Sequence, residues 1–288
     1  LLKPLTQPQY VLLILGTTTV ILLLYFLLKR SSFVDKRIAF IQARTKSYAE
    51  LISWMLRLSL GIALIGAGTA QMFISPALPH FPHFSFIQIL LGFFLLAGFL
   101  LAPANWFVVL LFLLALSHNF YLLGNADFLA ASVVLLILAN PKPGIDDLLG
   151  VSFLSPLKKL REFAPLILRI GVGGAMMFLA VYEKFLNPHL SAAIVENFHL
   201  TSVIPVSPEM WVLSAGLIEF IVGFALLVGL QTRLVAAIAF VVLALSFFYF
   251  GEEVYSHITL FGILSVLFVT GGGHWSIDFY YAKRNQNI

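Results

Sequence analysis

The apolar stretch of residues 211–229, WVLSAGLIEFIVGFALLVG, contains one ionisable side chain, the carboxylate of Glu219. A run of about 20 apolar residues is long enough to cross the hydrocarbon core of a membrane as a helix. A carboxylate near the middle of such a helix is costly, so by default it faces a protein interior and marks a functional site. The alternative is a protonated Glu219 that hydrogen-bonds a neighbouring helix and only stabilises the bundle.

Other groups capable of proton exchange or hydrogen bonding lie at the ends of neighbouring apolar stretches. They are Tyr182, Glu183, Lys184, Tyr249, Glu252, Glu253, Tyr255 and His257. Glu219 lies about 12 Å inward from Trp211, so we expect these side chains to converge with it around an apolar cleft. For Lys184, Glu252 and Glu253 the alternative is a solvated loop, and for His257 it is a hydrogen-bonding residue at the membrane interface.

The remaining histidines do not predict a metal site. The spacing of His80 and His83 is not the i, i+4 pair of a helical metal site, and no carboxylate lies near them in sequence. The chain has no cysteine. It therefore cannot carry out thiol–disulfide chemistry or bind a Cys-ligated metal cluster, and a redox role requires a diffusible carrier or a partner.

The composition predicts an all-α polytopic membrane protein. Hydrophobic residues make up 60% of the chain and charged residues 10%, with a mean hydropathy of +1.00. Soluble domains carry about 25% charged residues. The chain begins with Leu rather than Met, so we expect its natural start to lie upstream. The first apolar stretch lacks the small-residue cleavage pattern of a signal peptide and is expected to remain as a span.

Nine apolar stretches predict nine transmembrane helices. They cover residues 10–28, 51–73, 86–102, 106–123, 127–140, 164–182, 211–229, 233–250 and 255–271, and Pro103 is expected to close the third. We expect four parts: an N-terminal helix and basic segment (1–50), a degenerate four-helix bundle (51–150), a cytoplasmic linker (151–163), and a second four-helix bundle with a polar tail (164–288). Between the sixth and seventh spans, residues 187–207 are expected to hold a short helix at the outer interface, with an apolar stripe that includes Leu190, Ile194 and Phe198.

The basic residues predict the orientation. With an outer N-terminus and nine crossings, 15 of the 17 lysines and arginines fall on the cytoplasmic side. Arg169 and Arg233 lie at inner helix ends, where we expect them to extend to lipid headgroups or pair with Asp278. This distribution explains the net charge of +4 without nucleic acid as a partner.

An internal repeat relates the two predicted bundles. RLSLGIALIGAGTAQMFISP from Arg57 aligns with RIGVGGAMMFLAVYEKFLNP from Arg169, at an offset of 112 residues. QILLGFFLLAG from Gln88 aligns with EFIVGFALLVG from Glu219, at an offset of 131. Both halves have four crossings, so the repeat is parallel, with a pseudo-two-fold axis along the membrane normal.

The ionisable groups are concentrated in the second half. Glu219 aligns with Gln88, and Lys184 aligns with Met72. We interpret the second half as the half that contains the functional site, and the first half as a scaffold or a surface for a partner. The alternative is neutral drift in a half that never had a site.

The second half resembles the DoxX family of four-helix membrane proteins, which includes the DoxD subunit of thiosulfate:quinone oxidoreductase. The resemblance lies in RIGVGGAMMFLAVYEKFLNP, GLIEFIVGFALLVGLQTRLVA, GEEVYSHITLFG and TGGGHWSID, over about residues 168–278. It implies a membrane subunit linked to quinones or redox enzymes, and we expect a prokaryotic cytoplasmic membrane. The first half resembles the family only through the repeat.

Two functions of different class follow. The first is a redox-linked membrane subunit with a quinone site, where His257, Lys184 or a tyrosine donates to the quinone oxygens and Glu219 relays a proton. The second is an accessory subunit that packs a larger membrane complex without its own chemistry. A small-solute transporter is a weaker third, suggested by the repeat alone. Acidic residues dominate the predicted outer side, which argues against an anionic substrate such as thiosulfate.

Overall fold

The computed structural model describes residues 51–138, 142–150, 156–203 and 205–286, with isolated positions 15, 16, 19 and 48 before them. All regular secondary structure in these ranges is helical. Eight apolar helices dominate. They are α1 (Ile52–Thr69), α2 (Pro82–Ala97), α3 (Leu101–His118), α4 (Ala126–Leu138), α5 (Ala164–Leu179), α6 (Pro208–Val228), α7 (Thr232–Phe250) and α8 (Val254–Thr270).

Six helical segments are long and apolar enough to cross a membrane, and α2 and α8 are shorter apolar helices. The expectation of an all-α integral membrane protein is therefore confirmed. The eight helices coincide with the second to ninth predicted spans. The first predicted span, residues 10–28, lies outside the described residues except for three positions.

Shorter helical segments connect the long ones. They are the 3₁₀ turns Phe120–Asn125 and Pro156–Phe163, the π-helical turn Ala180–Leu186, and the short helices Ile145–Leu148, Pro188–Asn197, Leu200–Val203 and Ile277–Gln286. The helix Pro188–Asn197 confirms the short helix predicted within residues 187–207. Leu190, Ile194 and Phe198 of its apolar stripe are exposed, and Val195 is its buried residue.

The chain divides into two compact units, whose boundaries fall inside α5 and α6. One contains residues 176–221, and the other contains residues 48–175 and 222–288. This division differs from the four parts expected from the sequence, which therefore stay a prediction.

In the larger unit, α2 ends earlier than its hydropathy suggests. Gly98 adopts a left-handed conformation (φ 67°), and the N–H of Phe99 donates to the carbonyl of Phe94 at 2.9 Å, which closes the helix. Pro103, expected to close this span, instead lies in the first turn of α3, where a proline removes no helical hydrogen bond. The predicted end at residue 102 is thus wrong by four to five residues.

Asp146 joins the short helix Ile145–Leu148 to the start of α3. Its carboxylate accepts from the backbone N–H groups of Leu100 and Leu101, both at 2.9 Å. The N–H of Asp146 donates to the carbonyl of Gly98 at 2.9 Å. The side chain thereby satisfies donors that the first turn of a helix leaves free.

The second half contains the same arrangement at the start of α7. The carboxylate of Asp278 accepts from the N–H groups of Gln231 at 2.6 Å and Thr232 at 2.8 Å. The N–H of Asp278 donates to the carbonyl of Gly229 at 3.0 Å. Leu100 and Gln231, 131 positions apart, both have left-handed backbones, with φ of 48° and 46°.

The two aligned arginines are buried. Arg57 donates to the carbonyls of Leu95 (2.9 Å) and Leu96 (3.2 Å). Arg169 donates to those of Leu227 (3.2 Å) and Trp275 (2.6 Å). Only 1% of Arg57 and 0% of Arg169 is exposed. Of the two expected roles of Arg169, extension to lipid headgroups is wrong, because backbone carbonyls bind its guanidinium inside the protein. The electrostatic interaction of Arg169 with Asp278 agrees with the other expected role.

Small residues let the halves meet within the larger unit. Gly262 of α8 lies against Ser59 of α1, and Gly171 of α5 lies against Ala130 of α4. Ser59 corresponds to Gly171 at the offset of 112 residues. Ala130 corresponds to Gly262 at the offset of 132 residues that relates Asp146 to Asp278 and holds for the fourth helix of each half. The two contacts are therefore reciprocal, which is what a parallel repeat predicts.

Candidate functional site

The candidate site begins where α5 changes its helical geometry. From Ala180 to Leu186 the chain forms a π-helical turn that carries Tyr182, Glu183 and Lys184. The turn ends at Asn187, whose backbone and side-chain nitrogens both donate to the carbonyl of Tyr182, at 3.0 and 2.9 Å. Pro188 then starts the next helix. π-helical turns of this kind occur frequently at functional sites.

Lys184 is the centre of a three-residue ion cluster. Its Nζ lies 2.9 Å from Oε2 of Glu183 and 3.0 Å from Oε2 of Glu219, which projects from the middle of α6. The side chain of Lys184 is 16% exposed, and those of Glu183 and Glu219 are each 23% exposed. The sequence predicts a polar partner for Glu219 among residues 182–184 or 251–257, and Lys184 confirms it.

The cluster holds one more negative charge than positive charge when all three groups are ionised. In a low-dielectric environment each carboxylate needs the ammonium group, because an unpaired charge there costs several kcal/mol. Lys184 is therefore a shared partner. Proton uptake by one carboxylate leaves the ammonium group paired with the other carboxylate. The cluster can therefore bind or release one proton without leaving an unpaired charge.

Gly216 brings α6 close to the π-helical turn. A Cβ at Gly216 would lie 2.7 Å from Cβ of Lys184 and 2.8 Å from a ring carbon of Phe185. Such distances are too short for any larger residue. Gly216 lies three positions before Glu219, nearly one helical turn, so this close approach places the Glu219 carboxylate within reach of Lys184.

The corresponding position in the first half has a different role. Gln88 is fully buried, its Oε1 accepts from the N–H of Ile74 at 2.7 Å, and its Nε2 donates to the carbonyl of Met72 at 2.9 Å. Gln88 thus holds a loop backbone through neutral hydrogen bonds. Glu219, at the aligned position, instead pairs with a charged side chain.

The other predicted site residues lie in the larger unit or at the edge of the cluster. Nε2 of His257 pairs with Oε2 of Glu252, and both side chains are substantially exposed, at 38% and 40%. The hydroxyl of Tyr255 donates to Sδ of Met72 at 3.2 Å. Tyr249 is 57% exposed, whereas the ring of Tyr182 stacks on Phe178 with centroids 5.7 Å apart. The predicted convergence of all these residues on one cleft stays a prediction.

One buried acid is absent from the sequence-based site. Asp127, at the start of α4, is 3% exposed, and its Oδ2 accepts from the hydroxyl of Thr259 at 2.6 Å. His257 lies close enough to interact with Asp127 electrostatically. The signal available in the sequence was a lone carboxylate in an apolar stretch, at the position that the repeat aligns with Thr259.

The Lys184 cluster suits proton exchange and hydrogen bonding to a neutral polar ligand. The ammonium group is a donor and the carboxylates are acceptors. Glu183 and Lys184 lie in the turn that follows α5, and Glu219 lies in the middle of α6. Within the described ranges, no group of three histidine, aspartate or glutamate residues is arranged to hold a metal ion.

Comparison with known proteins bears on the second half of the chain. Residues 164–252 match the model of the DoxX family. The matched segment begins at α5 and includes the Lys184 cluster, so the resemblance seen in the sequence is confirmed there. No curated protein and no solved structure matches the chain.

Proposed function

Since residues 164–252 form a DoxX domain in an integral membrane protein, we propose that this chain is the membrane subunit of a redox-linked complex and that it binds a quinone at the Lys184 cluster. The observation that carries the proposal is the ammonium group of Lys184 shared by Glu183 and Glu219 in otherwise apolar helices. Ionisable groups inside membrane helices are rare and mark proton or substrate pathways by default.

Lys184 and Glu219 have different roles in the proposed quinone reduction. Reduction of a quinone to a quinol takes two electrons and two protons. Lys184 donates a hydrogen bond to one quinone oxygen, which stabilises the negative charge that develops there on reduction. Glu219 supplies the two protons one at a time and is reprotonated from the aqueous side after each transfer.

The electrons must come from outside this chain. It contains no cysteine, so it can neither bind a thiolate-ligated iron–sulfur cluster nor relay electrons through a disulfide. A partner subunit is therefore part of the proposal. With the orientation that the basic residues predict, the cluster faces the outer half of the membrane, where the excess of acidic residues favours a neutral or cationic electron donor.

His257 and Glu252 belong to the proposal as a second proton-exchanging pair. Their exposure gives them direct access to water. Tyr182, Tyr249 and Tyr255 are retained as candidate hydrogen-bond donors. None of these residues carries the proposal.

A second candidate is an accessory subunit that binds other proteins without chemistry of its own. Gln88 favours it, because the aligned residue of the first half only links helix to loop through neutral hydrogen bonds. On this reading the charges of the second half also serve only to hold the bundle together.

Substitution of Glu219 separates the two candidates. In Glu219→Gln, Lys184 keeps Glu183 as its ionic partner, so we expect nearly normal folding and assembly with its native partners. The amide cannot release a proton, so quinone-linked activity should fall about 100-fold. Glu219→Leu should lower both activity and the amount of assembled protein. Quinone reduction by the native complex in membranes is the measurement.

Gln88→Leu provides the control from the first half. It removes two buried hydrogen bonds, so it should lower stability while leaving the activity of the folded fraction unchanged. Full activity in Glu219→Gln would reduce Glu219 to a structural residue and favour the accessory subunit.

A further inference from the structure

A cavity of about 160 Å³ lies where α1, α4, α5 and α8 meet in the larger unit. Most of its lining consists of aligned pairs, one residue from each half. These pairs are Ile52 with Ala164, Val134 with Val266, and Leu138 with Thr270. The two halves therefore build the cavity together, at the point through which a two-fold axis between them would pass.

Most of the residues that line the cavity are apolar, and Ser53 and Thr270 add two hydroxyl groups. Val134 and Val266 are fully buried, and Leu168 is 1% exposed. A cavity of about 150 Å³ lined by aliphatic side chains is large enough to hold a benzene ring and excludes water. The present cavity thus has room for the end of a hydrocarbon chain but not for a whole lipid.

Two lining residues, Leu168 and Arg161, have no aligned partner in the lining, and Arg161 is charged. Arg161 lines the cavity and is exposed, and the residue 112 positions before it is Ala49. Arg161 belongs to the 3₁₀ turn Pro156–Phe163. The cavity therefore combines a mostly apolar lining with a single cation at its edge.

The turn Pro156–Phe163 has the composition of a segment that lies at a membrane surface. Among the side chains of this turn that the structure describes, Lys159 and Arg161 are basic and exposed, Glu162 is acidic and exposed, and Leu160 is 41% exposed. The ring of Phe163 stacks on Trp275 with centroids 5.9 Å apart, which fixes the end of the turn. Basic segments with exposed apolar residues associate with anionic lipid surfaces, and basic pockets between membrane helices bind anionic headgroups.

We propose that this cavity is a binding site for an anionic phospholipid, with the phosphate at Arg161 and the end of one acyl chain between the halves. Charge complementarity selects the headgroup, because Arg161 can donate two parallel hydrogen bonds to a phosphate. The bilayer itself is the source, since it presents phospholipid at high concentration to an integral membrane protein. The proposal does not depend on the quinone site.

Lipid binding to the full-length protein in detergent, followed by native mass spectrometry, tests the proposal. The probes are phosphatidylglycerol and phosphatidylcholine with identical acyl chains. We expect a preference of about fivefold for phosphatidylglycerol, and its loss in Arg161→Gln. Lys159→Gln is the matched control, because Lys159 lies on the same turn without lining the cavity, and it should keep the preference.

A second variant tests the acyl-chain part. Val134→Phe fills the cavity from α4, so binding of both lipids should fall while the headgroup preference of the remaining binding persists. Thermal unfolding shows whether this variant folds. The comparison of Arg161→Gln with Lys159→Gln does not depend on Val134→Phe. Equal effects of Arg161→Gln and Lys159→Gln would overturn the proposal in favour of general surface charge. Tighter binding of free oleate than of phosphatidylglycerol would also overturn it, in favour of a fatty-acid site.

Discussion

The three members of the Lys184 cluster are not equivalent. Lys184 has two carboxylate partners, whereas Glu183 and Glu219 each have the same single ammonium group in the cluster. Loss of a carboxylate leaves an ordinary ion pair, but loss of the lysine leaves two negative charges close together. Lys184 therefore determines the stability of the cluster, and loss of one carboxylate charge costs less than loss of the ammonium charge.

Lys184→Met should destabilise the protein by about 2 kcal/mol. Removal of one partner from a fully buried ion pair costs about 3–5 kcal/mol. The side chains of this cluster remain 16–23% exposed, which lowers the energetic penalty. Lys184→Met combined with Glu219→Gln recreates the Met72 and Gln88 of the first half and should recover about 1 kcal/mol of that loss. Denaturant unfolding in detergent gives both values, and wild-type stability in the single variant would show that the cluster contributes nothing to the fold.

At the scale of elements, the apolar stretches predicted the helices well, while helix ends and local geometry were predicted less well. Hydropathy does not distinguish an α-helical turn from a π-helical one. The change from α-helical to π-helical geometry at Ala180 therefore could not be predicted from the sequence. The end of α2 was misplaced because proline was interpreted as a stop signal when it belongs to the start of α3. The pairing of Glu219 with residues near Lys184 was predictable, because a carboxylate within a membrane helix requires a partner.

Gly216→Ala tests how closely α6 must approach the π-helical turn. Its added Cβ would contact Lys184 and Phe185 below van der Waals distance, so the turn must shift. We expect a loss of about 1–3 kcal/mol in stability and weaker quinone binding. Gly174→Ala in α5 is the control, since a Cβ there meets nothing within 4 Å. Alanine favours a helix over glycine, so this control should be neutral or stabilising, and equal losses in the two variants would contradict the close-approach argument.

At the scale of the whole molecule, the repeat predicted which residues of the two halves are equivalent, and neither half alone gives this information. The offsets of 112 and 131 residues align Arg57 with Arg169 and Gln88 with Glu219. The starts of α3 and α7 then share the same aspartate caps, and the ends of α2 and α6 share the same buried arginines. The sequence did not reveal that the aligned positions Asp127 and Thr259 bond to each other, because alignment relates positions without showing which ones touch. That contact follows only from how the halves pack.

Photoaffinity labelling with an azidoquinone tests the central claim most directly. The native membrane complex would be labelled, digested, and its modified peptides identified by mass spectrometry. We expect label within residues 176–221, protection by excess unmodified quinone, and strongly reduced labelling in Glu219→Leu but not in Gln88→Leu. Label that lies only outside this segment, or that excess quinone fails to suppress, would contradict a quinone site at the Lys184 cluster.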